Sequence, residues 1–175
     1  MKFIRITKSS DKILDNLFNL YEEAFPKRER RKVSYFKYLI DNEERMYFYA
    51  IESNDSLAGF FVYWKFEDFY FLEYFTIYPT LRNQKIGQKI LDYLNNNLKG
   101  IRIMEVEPAD EGMALRRIKY YERNGYKIVK KDYKQPSYRE DDEGLPLWLM
   151  SNIEDIEEIE KFIKIIFKEV YKRNI

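Results

Sequence analysis

The chain contains no Cys and no His, so any proton chemistry falls to Asp, Glu, Lys, Tyr or bound water. That removes thiolate nucleophiles, the Ser-His-Asp triad, disulfides, and zinc sites built on sulfur or imidazole. No carboxylate cluster has the spacing of an EF-hand loop, and no metal is expected. Spacing singles out a few of the remaining groups. Glu105 and Glu107 lie two residues apart in a strand-like run, where the two-residue period places them on one face. Glu73 lies in the preceding strand-like run. Tyr121 recurs with Ala114 and Ile118 at helical spacing, the pattern of an ordinary packed face as well as of a functional one. Leu81 to Gln88 follows a strand and opens a helix, where free backbone N–H groups and the positive end of the helix dipole can hold a pyrophosphate. An ordinary strand-to-helix turn with exposed basic residues is the plainer reading of those eight residues. The run Lys27-Arg28-Glu29-Arg30-Arg31-Lys32 is read first as a solvated loop.

The elements that must position these groups follow from periodicity. Residues 3 to 7 read as a strand, and Ser9, Ser10 and Asp11 offer N-cap oxygens to a helix whose Ile13, Leu14, Leu17, Phe18, Tyr21 and Ala24 form one apolar face ending at Pro26. A second short helix carries Phe36, Leu39 and Ile40. Strands are expected at 46 to 51, 57 to 66 and 69 to 78, joined by hairpins at Asn54-Asp55 and Glu67-Asp68. A helix with Ile86, Ile90, Leu91, Leu94 and Leu98 on one face closes at Gly100. Then come a strand at 101 to 107, a helix at 112 to 123 capped by Asn124-Gly125, and a strand at 126 to 132. Pro136 to Gly144 reads as a polar loop and Leu145 to Met150 as a last strand. Ser151-x-x-Glu154 has the form of a capping box before a long C-terminal amphipathic helix with Ile153, Ile156, Ile159, Ile163, Phe167 and Val170. The fold class is α+β, a mixed sheet with helices on it. Residues 1–150 are expected to form one domain, and the helix within 151–175 to pack on it or on a second copy in a homodimer.

At Leu81-Arg82-Asn83-Gln84-Lys85-Ile86-Gly87-Gln88 the chain resembles the GNAT superfamily of acetyl-CoA-dependent N-acetyltransferases, whose signature is Gln/Arg-x-x-Gly-x-Gly/Ala. Arg82 and Gly87 match its ends, while Lys85 stands where a Gly is usual. Tyr120-Tyr121-Glu122-Arg123-Asn124-Gly125-Tyr126 resembles the Phe-Tyr-Glu-x-x-Gly-Phe segment of the same family. The element order β-α-α-β-β-β-α-β-α-β fits it over about residues 3 to 132.

The resemblance implies a GNAT-like sheet whose two central strands splay apart, with acetyl-CoA as co-substrate and an amine attacking the bound thioester directly. It implies that Arg82, Asn83, Gln84, Lys85, Ile86, Gly87 and Gln88 hold the pyrophosphate, and that main-chain N–H groups of Phe75, Thr76 and Ile77 hold the coenzyme arm. By the same resemblance Tyr121 protonates the departing thiolate. The proton of the amine goes to Glu105, Glu73 or an ordered water, because freeing the lone pair of an amine of pKa ~10.4 at pH 7 costs about 4 to 5 kcal/mol. Glu29 and Arg30 border the acceptor site in this reading. If Lys85 adopts a left-handed backbone, its side chain costs roughly 1 to 2 kcal/mol.

Composition sets the outer limits. At 175 residues, 45% hydrophobic, the chain can fill one core. Net charge is +1, from 31 basic and 30 acidic residues, so neither nucleic acid nor an anionic membrane is an expected partner. No run of about 20 apolar residues and no signal-peptide pattern occurs, which points to the cytoplasm. No Gly-x-x-x-x-Gly-Lys-Ser/Thr loop is present to support nucleotide hydrolysis. The expected partner is a small-molecule or peptide amine. The alternatives are a non-catalytic acyl-CoA-binding module and a protein-interaction domain using the basic run and the last helix.

Overall fold

A computed structural model of the chain describes residues 1–109, 112–139 and 143–173. Asp110 and Glu111, and residues 140–142 of the expected polar loop, lie outside the described residues. Among the described residues, five α-helices and a seven-stranded, mostly antiparallel sheet make a mixed α+β fold. The chain forms two compact units, residues 1–65 with 73–99, and residues 66–72 with 100–175.

The first unit contains β1 (Lys2–Ile6), α1 (Ile13–Ala24), α2 (Val33–Asn42), β2 (Met46–Ser53), β3 (Ser56–Lys65), the Glu73–Ile77 half of β4 (Phe69–Ile77), and α3 (Ile86–Asn97). Its strands run in the order β1-β2-β3-β4. The β2–β3 hairpin turns on Asn54 and Asp55, with φ of 52° and 56°, the pair of left-handed residues that a tight primed turn requires. That turn fixes the register and with it the faces. Phe48 and Phe60 stack at 5.2 Å on one face, where Phe36 meets Phe48 at 5.5 Å and Tyr21 meets Phe60 at 6.2 Å, so α1 and α2 cover it. Tyr47 pairs with Tyr63 and Tyr49 with Phe61 on the other face, at 4.8 and 5.0 Å. Tyr93 of α3 reaches Phe61 there at 5.9 Å.

The second unit contains the Phe69–Leu72 half of β4, β5 (Ile101–Val106), α4 (Gly112–Arg123), β6 (Lys127–Gln135), β7 (Leu145–Ser151) and α5 (Ile159–Glu169). Its strand order is β4-β5-β7-β6. The β4–β5 ladder is parallel, from Phe69↔Ile101 to Leu72↔Met104, and β7 is antiparallel to both β5 and β6. Met104, Val106, Ile118, Tyr126 and Met150 form a buried cluster under α4. The alternate residues of β5 face the other way, toward the side where Phe162 of α5 packs on Phe69 at 4.5 Å.

Two expected boundaries move by more than two residues: β6 runs on to Gln135, past the expected end at 132, and the C-terminal helix starts late. The C-terminal helix starts at Ile159, because Ser151 is the last residue of β7, fully buried and paired with Ile103 and Lys127. Its hydroxyl accepts the Ile153 N–H at 3.2 Å, a local turn that uses the oxygen a helix cap would need.

Candidate functional site

In the first unit, the coenzyme loop expected from sequence has an unusual backbone. After a 3-10 turn at Pro79–Leu81, Asn83 and Lys85 both take left-handed conformations, φ 64° and 60°. Lys85 is the N-cap of α3 and supplies no side-chain cap; the first intrahelical bond is Lys89 N–H to its carbonyl at 3.2 Å. The N–H groups of Ile86, Gly87 and Gln88 are therefore helix-terminal donors facing outward along the axis. Arg82, Asn83, Gln84 and Lys85 are exposed, while Ile86 is buried and anchors the loop. Gln84 donates to the Thr80 carbonyl at 3.4 Å and Gln88 to Asp92 at 2.9 Å. Alternating backbone handedness beside a positive helix end is the arrangement that receives phosphate oxygens.

The strand segment expected to hold the coenzyme arm rests on a glycine. Phe75 and Ile77 are half-buried and Thr76 is buried. Gly59 of β3 lies so close to it that a Cβ would collide with the Thr76 carbonyl oxygen and sit 2.9 Å from the Ile77 Cα. Tyr78 N–H donates to the Ala58 carbonyl at 3.0 Å just beyond. A side chain at position 59 would push Thr76 and Ile77 away.

Glu73 is deeply committed. Its side chain is 1% exposed and forms an ion pair with Arg31, itself 2% exposed. Its other oxygen accepts the Trp64 indole N–H at 2.7 Å. Tyr74, beside it, donates to the Glu29 carbonyl and accepts from Tyr21, both at 3.2 Å. Burial drives the Tyr21 phenol far above its ordinary pKa, more than the opposing hydrogen bond to Tyr74 and the Arg31 charge can offset. The basic run 27–32 is thus tied down in part. Arg31 is inside, Arg30 is bridged to Glu22 of α1, and Glu29 lies 3.8 Å from Arg28. Lys27, Arg28 and Lys32 stay exposed. Arg31 is one of the residues that sequence reasoning missed. Its signal was weak, since nothing in a run of five cations marks which one turns inward.

In the second unit, three side chains donate hydrogen bonds to Glu105. Tyr133 donates to Oε1, while Gln135 and Tyr171 both donate to Oε2 at 2.6 Å. The Tyr133 phenol is pushed well above its ordinary range by burial and by the adjacent Glu105 charge. Glu107, half-exposed, pairs instead with Arg117 of α4. Tyr121, near the end of α4, is half-buried against Tyr126 at 6.3 Å and Tyr120 at 5.5 Å. Burial pushes its phenol up to about 12, against a lowering by Arg117. Gly125, φ 85°, ends the helix, and Tyr126 N–H reaches back to the Tyr121 carbonyl at 3.1 Å. Among the described residues, no three carboxylates come together as a cation site, and no helix is long and apolar enough to cross a membrane.

Comparison with known proteins places these features in context. A family model described as an acetyltransferase (GNAT) domain matches residues 44–128. A protein from Bacteroides thetaiotaomicron assigned to the GNAT family is 33% identical, over 99% of this chain and 100% of its own, with a TM-score of 0.92. An aminoglycoside 6'-N-acetyltransferase complexed with coenzyme A is 17% identical over 90% of this chain and 100% of its own, TM-score 0.62. A GNAT family acetyltransferase from Elizabethkingia anophelis with acetyl-CoA bound is 13% identical over 86% and 95%, TM-score 0.56. The last two likenesses concern the fold alone. No curated protein matches in sequence.

Proposed function

Since the chain belongs to the GNAT acetyltransferase family, we propose that it moves the acetyl group of acetyl-CoA to a primary amine by direct attack on the thioester. The observation that carries the reading is the uncapped N-terminus of α3 behind two left-handed residues, Asn83 and Lys85. Arg82 to Gln88 would hold the pyrophosphate there, with the Lys85 ammonium adding a mobile charge. The N–H groups of Phe75, Thr76 and Ile77 would take the pantetheine arm and polarise the thioester carbonyl.

Two carboxylates remain candidates for the amine proton. Glu105 is favoured over Glu73, because Glu73 is held by a buried guanidinium and an indole N–H. Taking a proton there would cancel the charge that Arg31 needs. Glu29 and Arg30 would border the acceptor.

Tyr121 is the candidate acid. A phenol near 12 keeps its proton at neutral pH, and giving it up fully to a thiolate of pKa about 8.5 is uphill by roughly 5 kcal/mol. Tyr121 therefore serves first as a hydrogen-bond donor to the departing sulfur, and the thiolate's final proton can come from solvent.

One observation favours a second reading, a coenzyme-binding module without turnover: both carboxylates already serve as acceptors within the fold. Thermal unfolding with acetyl-CoA, followed by thiol release across peptide N-termini, lysine peptides, polyamines and aminoglycosides, separates the two. Stabilisation of about 1.4 kcal/mol at ten times Kd with thiol release supports the enzyme. Stabilisation with no release under any amine supports the module, and no stabilisation removes both.

A further inference from the structure

The carboxylate of Glu105 lies within the segment 44–128 that matches the family model, yet Tyr133, Gln135 and Tyr171, which donate to it, all lie after that segment. Tyr133 and Gln135 come from the end of β6, and Tyr171 from the turn after α5. The Gln135 amide directs one proton to Glu105 Oε2 and one to the Tyr171 oxygen at 3.0 Å. Tyr138 donates to the same Tyr171 oxygen at 3.5 Å. Tyr171 in turn donates to Glu105 Oε2 at 2.6 Å, a shorter contact than those its hydroxyl makes with Gln135 and Tyr138.

The tail that delivers it is fixed as well. Tyr171 N–H bonds to the Ile166 carbonyl at 3.3 Å, and its ring packs on Tyr138 at 4.8 Å. Arg173 binds the carbonyls of Ser137 and Arg139 at 3.3 and 2.9 Å, tying the tail to the segment that carries Tyr138. Tyr171 is 5% exposed and Gln135 6%, so these bonds are made out of water, where they are stronger and costlier to break.

We propose that Tyr171 is a positioning residue for the transfer reaction: the C-terminal segment carries its phenol to Glu105 and holds that carboxylate in one orientation. The inference rests on the reading of Glu105 as the group that meets the amine. It gives the C-terminal helix a part in the site rather than in packing alone. Phenol hydroxyls accept as well as donate, so the Tyr133 oxygen can receive the hydroxyl of Glu105 once the amine proton has arrived, and the cluster fixes the carboxylate without barring that step. An ionised carboxylate in a fixed orientation can meet an incoming ammonium without first reorganising, which acts on the transition state rather than on coenzyme affinity.

The test is a double-mutant cycle of Tyr171→Phe and Glu105→Gln in the full chain. Thiol release is measured with acetyl-CoA and the fastest amine of the panel, and thermal unfolding is followed in parallel. Tyr171→Phe keeps the ring and removes only the donor. We expect kcat to fall about tenfold, equivalent to about 1.4 kcal/mol, with KM for acetyl-CoA within twofold of the unaltered protein. In the Glu105→Gln background the same substitution should change kcat by less than twofold. Equal losses in both backgrounds, or a fall explained by loss of folded protein at the assay temperature, would overturn the positioning role. If Glu105→Gln loses turnover while Tyr171→Phe keeps it, the inference falls and the reading of Glu105 stands. Full turnover in Glu105→Gln removes both.

Discussion

Replacing Glu73 by Gln removes one charge from a pair whose side chains are 2% and 1% exposed, and leaves the Arg31 guanidinium buried beside a neutral amide. Breaking a buried pair from one side costs about 3 to 5 kcal/mol. For a chain of this size that lowers Tm by roughly 6 to 20 °C. Arg31→Met exposes the same cost from the other side. The double variant Arg31→Met/Glu73→Gln has no stranded charge. Its remaining penalty is the charge-assisted bond lost by the Trp64 indole N–H, 2.7 Å from the Glu73 oxygen, about 1 to 3 kcal/mol. The coupling energy should therefore be at least about 2 kcal/mol. Urea denaturation of the four proteins gives that number directly, and thiol release adds the functional half. If Glu73 is a clamp, the double variant regains both stability and turnover relative to Glu73→Gln; if Glu73 is the base, it regains stability only. Additive single effects, with coupling below about 0.5 kcal/mol, would refute the buried pair as the cause.

Lys85→Gly should raise stability by about 0.5 to 1 kcal/mol in urea, the relief of a left-handed side chain less the extra freedom of glycine in the unfolded chain. Its acetyl-CoA affinity should fall, and fall most at low salt, if the ammonium meets a phosphate. Gly59→Ala should cost at least about 3 kcal/mol and abolish thermal stabilisation by acetyl-CoA, since Thr76 and Ile77 must move. Tyr121→Phe should lower kcat with little change in acetyl-CoA Kd measured by calorimetry; equal turnover removes the donor role. Alkali should unfold the protein through its buried phenols. For Tyr121 the folded pKa of about 12 lies above the unfolded value of about 10. Its contribution is therefore complete below pH 10 and lost as pH rises toward 12, up to about 3 kcal/mol. Phenolate absorbance rising together with loss of circular dichroism is the expected signature, and phenolate forming in a still folded protein would contradict it.

What could be seen in advance was local, and what could not was long-range. The strand and helix periods placed the seven strands and five helices in order, the Asn54-Asp55 turn included, but not the 3-10 turns at Lys27–Glu29 and Pro79–Leu81 or the start of the last helix. The left-handed cost of Lys85 follows from its position alone. Burial of Glu73 was hidden because its strand shows it as one more alternating residue, while the cation that draws it inward arrives from 42 residues earlier. Glu105 was visible as a strand carboxylate. Its partners were not, because Tyr171 is 66 residues away and is carried by a helix whose own start was misplaced. Ser151 and Glu154 have the spacing of a capping box, but strand pairing of Ser151 to Ile103 and Lys127 outweighs one cap bond.

The two tryptophans offer a use that lies outside the chemistry. Trp64 is fully buried in the first unit, with its indole N–H on Glu73, and Trp148 is half-buried in the second, beneath the Lys131 ammonium at 4.8 Å. Each unit thus holds one intrinsic fluorophore in a distinct electrostatic setting. Trp148→Phe leaves an emission signal that belongs to the first unit, and Trp64→Phe one that belongs to the second. Unfolding curves from the two single-tryptophan proteins, overlaid on the same denaturant axis, measure the cooperativity between the units from within the molecule and without an added dye.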